Sequence, residues 1–175
     1  AVLDTVNIIK VTTALDIEDS TDNLISLREA ILLAEKGGKQ EGATGIDNKK
    51  DIIDLSGITD NKTIKLNSSL PTIGEAIEIK GPEKDSEEDS GVVIDGQDKH
   101  QIIAVNAQGN TVLFSNLTFQ NGLAKGGDGE NGGGGGLGAG GALFINNGSV
   151  IVDNVSFIGN KAEGGNGSQG AKGGN

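Results

Sequence analysis

Val112–Gly129 reads VLFSNLTFQNGLAKGGDG, and Val150–Gly167 reads VIVDNVSFIGNKAEGGNG. Laid one on the other without a gap, they share Val112 with Val150, Asn116 with Asn154, Phe119 with Phe157 and Ala124 with Ala162. Gly126, Gly127 and Gly129 likewise match Gly164, Gly165 and Gly167. Each copy holds a short apolar strand, one Asn, a second short strand through Phe, and a Gly-rich excursion. So small a unit closes no core alone, but stacked on its copies it buries a continuous apolar column, as in solenoids. Asn116 and Asn154 fall where the chain must turn sharply between two apolar runs. Asn tolerates the left-handed backbone of such a corner and can hydrogen-bond to its equivalent one repeat away. A tight hairpin would call for Gly after each Asn, and Leu117 and Val155 stand there instead.

The excursions carry a finer period. Glycine occupies positions 126, 129, 132, 135, 138 and 141 in the first, and 164, 167, 170 and 173 in the second. Every-third Gly is the spacing of extended helices with three residues per turn, whose Gly edges can lie close against neighbouring backbone. Proline is absent from both, so collagen is excluded and stiffness has to come from lateral hydrogen bonds between excursions. The competing reading is a flexible Gly-rich loop.

A chain of 175 residues can bury a substantial core as one domain. We read residues 1–175 as a single unit, with a first strand and a helix in 1–50 and stacked coils in 51–175. The fold expected from the repeat is all-β, a parallel solenoid with an N-terminal α-helical cap and Gly-rich loop excursions. Cysteine is absent, which removes disulfides, zinc-thiolate sites and a thiol nucleophile. Methionine is absent as well, so Ala1 is not a translational start and the chain is expected to be processed or excised from something longer. No apolar run approaches the roughly 20 residues of a transmembrane helix. A net charge of −11, with Arg28 the only arginine, repels nucleic acid and raises the question of a divalent cation.

Taken in order, Ala1–Thr13 reads as a first strand. Leu15–Asn23, LDIEDSTDN, gathers Asp16, Glu18, Asp19 and Asp22 in seven residues. They are the candidate calcium ligands, since clustered carboxylates repel unless a cation joins them. EF-hand spacing is missing, and an exposed acidic loop is the alternative. Leu24–Lys36 is the confident helix: Ser26 and Glu29 form a capping box, Leu27, Ala30, Ile31 and Ala34 share a face, and Gly37-Gly38 stop it. This helix is expected to cover one end of the column. Gly37–Lys50 reads as a connector. Strands follow at Ile52–Leu55, Thr63–Leu66, Ala76–Lys80, Val92–Asp95, Gln101–Val105 and Thr111–Phe114, with turn signals between them, among them Asn106–Asn110 and the acidic Pro82–Gly91.

SLREAI, IDLSG, TIKLNSSLPTI, AIEIKGP and VVIDGQ together resemble the opening of bacterial secreted β-helix proteins known for a CSLREA-type N-terminal segment. Ile25 stands where that signature has Cys. GGALFINNG and FIGN are similar to the repeats of polymorphic outer-membrane proteins and autotransporter passengers; Phe157–Asn160 fits FxxN, whereas Phe119–Gly122 does not. The resemblance implies a right-handed parallel β-helix of the pectate-lyase-like superfamily, secreted or displayed on a cell surface, and implies activity only weakly.

For chemistry, VVIDGQDKH places Asp95, Asp98, Lys99 and His100 in one turn. Asp95 and Asp98 are the weak catalytic candidates, because paired carboxylates hydrolyse glycosidic bonds when a fold holds them at the right separation. Against them stand the lack of Trp or Tyr platforms for sugar and, for an acidic polysaccharide, a net charge of −11 with the only arginine, Arg28, committed to the helix. His100 has no G-x-S-x-G elbow. The function expected is a non-catalytic, adhesin-like or structural display module of an extracellular protein. A carbohydrate-active enzyme fragment and a calcium-stabilised module are the alternatives. The repeat offset places the next strand beyond Asn175, so further coils of the same protein, or another chain, are expected at the C-terminal edge, with a cell-surface ligand as possible partner.

Overall fold

Short β-branched runs bounded by Gly, Asn and Asp make the strands, and each pairs with its counterpart in a neighbouring pass of the chain. The computed structural model describes residues 6–37, 50–86 and 89–170. In order it holds β1 (Asn7–Lys10), α1 (Leu27–Gly37), β2 (Asp51–Asp54), β3 (Thr63–Lys65), β4 (Ile77–Lys80) and β5 (Val92–Asp95). Then come β6 (Ile103–Ser115), β7 (Leu117–Gln120), β8 (Leu123–Lys125), β9 (Leu143–Asp153), β10 (Ser156–Ile158) and β11 (Lys161–Glu163). The sheets run β1-β2-β4-β6-β9, β10-β7-β5-β3 and β11-β8. All strand pairings are parallel.

The expectation of an all-β, right-handed parallel β-helix is corrected. The chain mixes helix with strand, its eleven short strands lie in three separate parallel sheets, no closed solenoid is detected, and the architecture is α/β in type. The reason is physical. A repeat offset fixes which residue lies beside which in a parallel ladder, but not whether successive sheets close on one another. Sheets of five, four and two strands cannot be matched strand for strand.

The helix also contributes directly to the core. Ser26 N–H donates to Glu29 Oε2 at 2.8 Å and Glu29 N–H to Ser26 Oγ at 3.1 Å, the reciprocal bonds of a capping box. Leu27, Ala30, Ile31 and Ala34 are buried in one cluster with Ile53, Ile79 and Phe114. The helix therefore packs its apolar stripe on the strands, against β1 and β2.

Within the repeat, the expected registers are present. Val112 pairs with Val150, Phe119 with Phe157 and Ala124 with Ala162. Asn116 and Asn154 have φ of 55° and 53°, and Asn154 Nδ2 donates to Asn116 Oδ1 at 2.9 Å. The Phe119 and Phe157 rings stack at 5.5 Å, while Phe114 meets Phe119 edge-on at 5.5 Å. Elsewhere the elements differ. Residues 106–110, expected as a turn, lie inside β6, where the pairing with β9 shifts register on either side of Asn106. The strands β8 and β11 were not expected, since three-residue runs containing Lys and Glu carry little apolar signal.

The Gly-rich excursions are joined laterally. Gly126 N–H donates to Glu163 O at 2.8 Å, Gly129 to Asn166 O at 2.7 Å, Gly136 to Gly127 O at 2.7 Å and Gly165 to Gly136 O at 2.9 Å. A Cβ at Gly126 or Gly135 would strike the carbonyl oxygen of Gly136 or Gly165. In the first excursion the three-residue glycine period thus marks close backbone approach, whereas Gly164, Gly167 and Gly170 of the second leave room for a Cβ. Parts of four sequence readings lie outside the described residues: residues 1–5 of the first strand, 38–49 of the connector, Glu87 and Glu88 of the acidic loop, and Gly173.

Two measurements test this packing. Phe119→Ala should cost about 3–5 kcal/mol in urea unfolding, as for a fully buried ring, while Phe157→Ala should cost well under half of that. Gly135→Ala should abolish slow hydrogen exchange at Gly126, Gly136 and Gly165, whereas Gly134→Ala, whose Cβ would meet nothing within 4 Å, should leave it intact.

Candidate functional site

Exposure changes abruptly between the last two passes. Val112, Phe114, Leu117 and Phe119 are completely buried, whereas Phe157 is 46% exposed and Ile151 55%. Val152 and Ile158 are exposed too. The strands β9, β10 and β11 stand at one margin of the three sheets, so this pass presents unpaired backbone N–H and C=O groups beside the apolar side chains. Asn160 shows how neighbouring passes are joined there. Its Oδ1 accepts the Gly122 N–H at 2.7 Å, and its Nδ2 donates to Phe119 O at 2.9 Å.

Beside this margin lies an open groove of about 510 Å³, lined among others by Glu78, Lys80, Glu83, Lys84, Ser115 and Asp153. Lys80, Ser115 and Asp153 are lateral neighbours in successive strands. Ser115 is buried, and its Oγ has no hydrogen-bond partner among the described residues. A one-residue signal of this kind is invisible in sequence, because it depends on what the neighbouring passes bring alongside.

The candidate calcium ligands are not brought together. Arg28 Nε donates to Asp16 Oδ1 and Arg28 Nη2 to Asp16 Oδ2, both at 2.8 Å. The same guanidinium reaches the carbonyls of Ser69 and Ser68 at 2.9 and 2.8 Å. Asn67 N–H adds a bond to Asp16 Oδ2 at 2.7 Å. Asp16 is thus a buried structural carboxylate tying the acidic loop and α1 to the segment after β3. Asp19 accepts the hydroxyl and N–H of Thr21, Asp22 accepts the Leu24 N–H, and Glu18 is exposed. Among the described residues, no group of three or more His, Cys, Asp or Glu side chains is placed to hold a metal ion.

Hydrogen bonds from the Thr21 hydroxyl and N–H hold the Asp19 carboxyl below its ordinary 3.8. The N–H groups of Gly91 and Asp85 do the same for Asp89, with Lys62 adding to it. For a lowered carboxylate the stabilising contribution is full above the ordinary value and is lost as pH falls through the folded one. Both loops should therefore loosen only in acid, as pH falls below the ordinary carboxylate value.

Asp95 and Asp98 part company. Asp95 is buried and accepts Gln97 N–H at 2.8 Å, Gln120 Nε2 at 3.1 Å and Asn121 Nδ2 at 3.2 Å, so it holds a turn together across passes. Asp98 is exposed, 3.6 Å from Lys161 Nζ. The His100 N–H bonds to Gly96 O, and its carbonyl accepts the Leu123 N–H.

Comparison of the chain with protein-family models, with curated proteins and with solved structures finds no match. Among the described residues, no helix is long and apolar enough to cross a membrane.

Two substitutions test these assignments. Arg28→Ala should lower stability by about 3–5 kcal/mol, since it leaves the Asp16 carboxylate buried and uncompensated; Arg28→Lys should recover only part, because an ammonium cannot reproduce the fork. Ser115→Ala should raise stability by about 1 kcal/mol by removing an unsatisfied buried hydroxyl, read as a higher urea midpoint at unchanged slope.

Proposed function

We propose that the chain is a non-catalytic module of a secreted or cell-surface protein, adhesin-like in role. It presents a stiff stack of parallel strands and makes its contacts through the uncovered last pass. The observation that supports this is the step between Phe119, completely buried, and its stacked equivalent Phe157, nearly half exposed. An exposed apolar set rimmed by unpaired strand edges is a contact surface rather than a reaction site. Its partner is a further pass of the same protein or another chain. The likeness of SLREAI, GGALFINNG and FIGN to secreted bacterial surface proteins supports the extracellular placement, and the acidic surface, at −11 overall, argues against nucleic acid.

The test is a double variant, Ile151→Asp with Phe157→Asp. The wild-type chain should bind an apolar fluorescent dye and show fast amide exchange along β9, β10 and β11. The double variant should lose the dye while its urea midpoint changes little. A wild-type chain that binds no dye, and whose β10 amides exchange as slowly as those of β7, would overturn the proposal.

A further inference from the structure

We infer that the last pass is a register-coded acceptor for one kind of polypeptide layer, added in parallel and of the form Asn-x-x-aromatic-x-x-Asn. This rests on the contact role proposed above and specifies the partner. Three positions define the code, and each is read from how the last pass sits on the one before it.

The first is the turn. Asn154 Nδ2 donates to Asn116 Oδ1 at 2.9 Å, with both residues left-handed. The ladder has a direction, from the later amide nitrogen to the earlier amide oxygen, and Asn154 Oδ1 receives no donor among the described residues. A third Asn in the same place would supply one. The second lies three residues on. Phe157 stacks on Phe119 at 5.5 Å with 30° between planes, and 46% of the residue remains exposed. Another aromatic ring continues that offset stack.

The third lies six residues after the turn. Asn160 accepts the Gly122 N–H and donates to the Phe119 carbonyl. The equivalent groups one pass later, Asn160 N–H and Phe157 C=O, have no partner among the described residues, and an Asn side chain would bond both. A merely apolar occupant would leave these backbone groups and the Asn154 oxygen unsatisfied, which costs more than the apolar contact returns. All strand pairings in the structure are parallel, and the added layer keeps that sense. Strand addition of this kind draws affinity from main-chain bonds and specificity from alternate side chains. This chain's own Asn154-Val-Ser-Phe157-Ile-Gly-Asn160 has the required form.

The probe is therefore a labelled peptide with the sequence of Val150–Glu163, added to the full chain. Saturable binding is expected with a dissociation constant of about 0.1–1 mM, weak because a short peptide is ordered on binding. It should slow amide exchange in β9 and β10, and Asn154→Ala in the full chain should weaken it about five- to tenfold. A scrambled peptide that binds equally well, or an Asn154→Ala chain that binds unchanged, overturns the inference. As a second measurement, a copy of residues 138–175 is fused after Asn175. The fusion should bury Phe157 and raise the melting temperature, more than the same fusion with Ala at its copies of Asn154 and Phe157. If neither peptide nor fusion protects β10, the code is wrong. Should that happen while the wild-type chain still binds the apolar dye, the contact role stands alone; if the dye also fails, both fall.

Discussion

Parallel, in-register pairing between successive passes of the chain is the constraint on which the structure depends. A parallel strand cannot turn back on itself, so each strand must wait a full pass for its neighbour. The corner residues make this possible. Asn116 and Asn154 take the left-handed backbone and bond to each other, which lets the chain change sheets in one residue without stranding a buried amide. At the next corner Asn121 and Gly159 also take the left-handed backbone, with φ of 51° and 64°. With the corners fixed, Phe114, Phe119 and Phe157 have no freedom but to meet, and the core follows from the register.

The opposite end of the stack is finished in a different way. There α1 packs its apolar stripe against β1 and β2, and the Arg28–Asp16 pair secures the acidic loop to the Asn67–Ser69 segment through several charge-assisted bonds. One end is thus held by a helix and a buried ion pair, and the other by the layer beneath it alone. Local stability should fall along the chain accordingly, as in repeat arrays where each unit leans only on its neighbours.

The repeat made the register legible. Val112 with Val150, Phe119 with Phe157 and the Asn ladder could all be placed from spacing, because a parallel ladder converts sequence offset directly into adjacency. The helix was legible from its capping box and apolar stripe. Overall architecture was not, since closure of the sheets and their unequal strand numbers depend on contacts between passes that lack the repeat. In the acidic run Asp16–Asp22 the partners of Asp16 were illegible for a related reason. Clustered carboxylates look like a cation site until the distant Arg28 and Asn67 are brought onto Asp16. Ser115 and its groove carried no signal at all.

The amide ladder has one more consequence. Asn154 to Asn116, and more weakly Asn146 to Asn106 at 3.4 Å, place their side-chain dipoles in the same sense along the stacking axis. Aligned hydrogen-bonded amides polarise one another, so the last oxygen in such a column is a better acceptor than an isolated amide oxygen. The bare margin therefore bears a small, fixed negative potential of its own, separate from the ionisable groups. Because it acts over a bond length, dissolved salt should screen it far less than it screens the acidic surface.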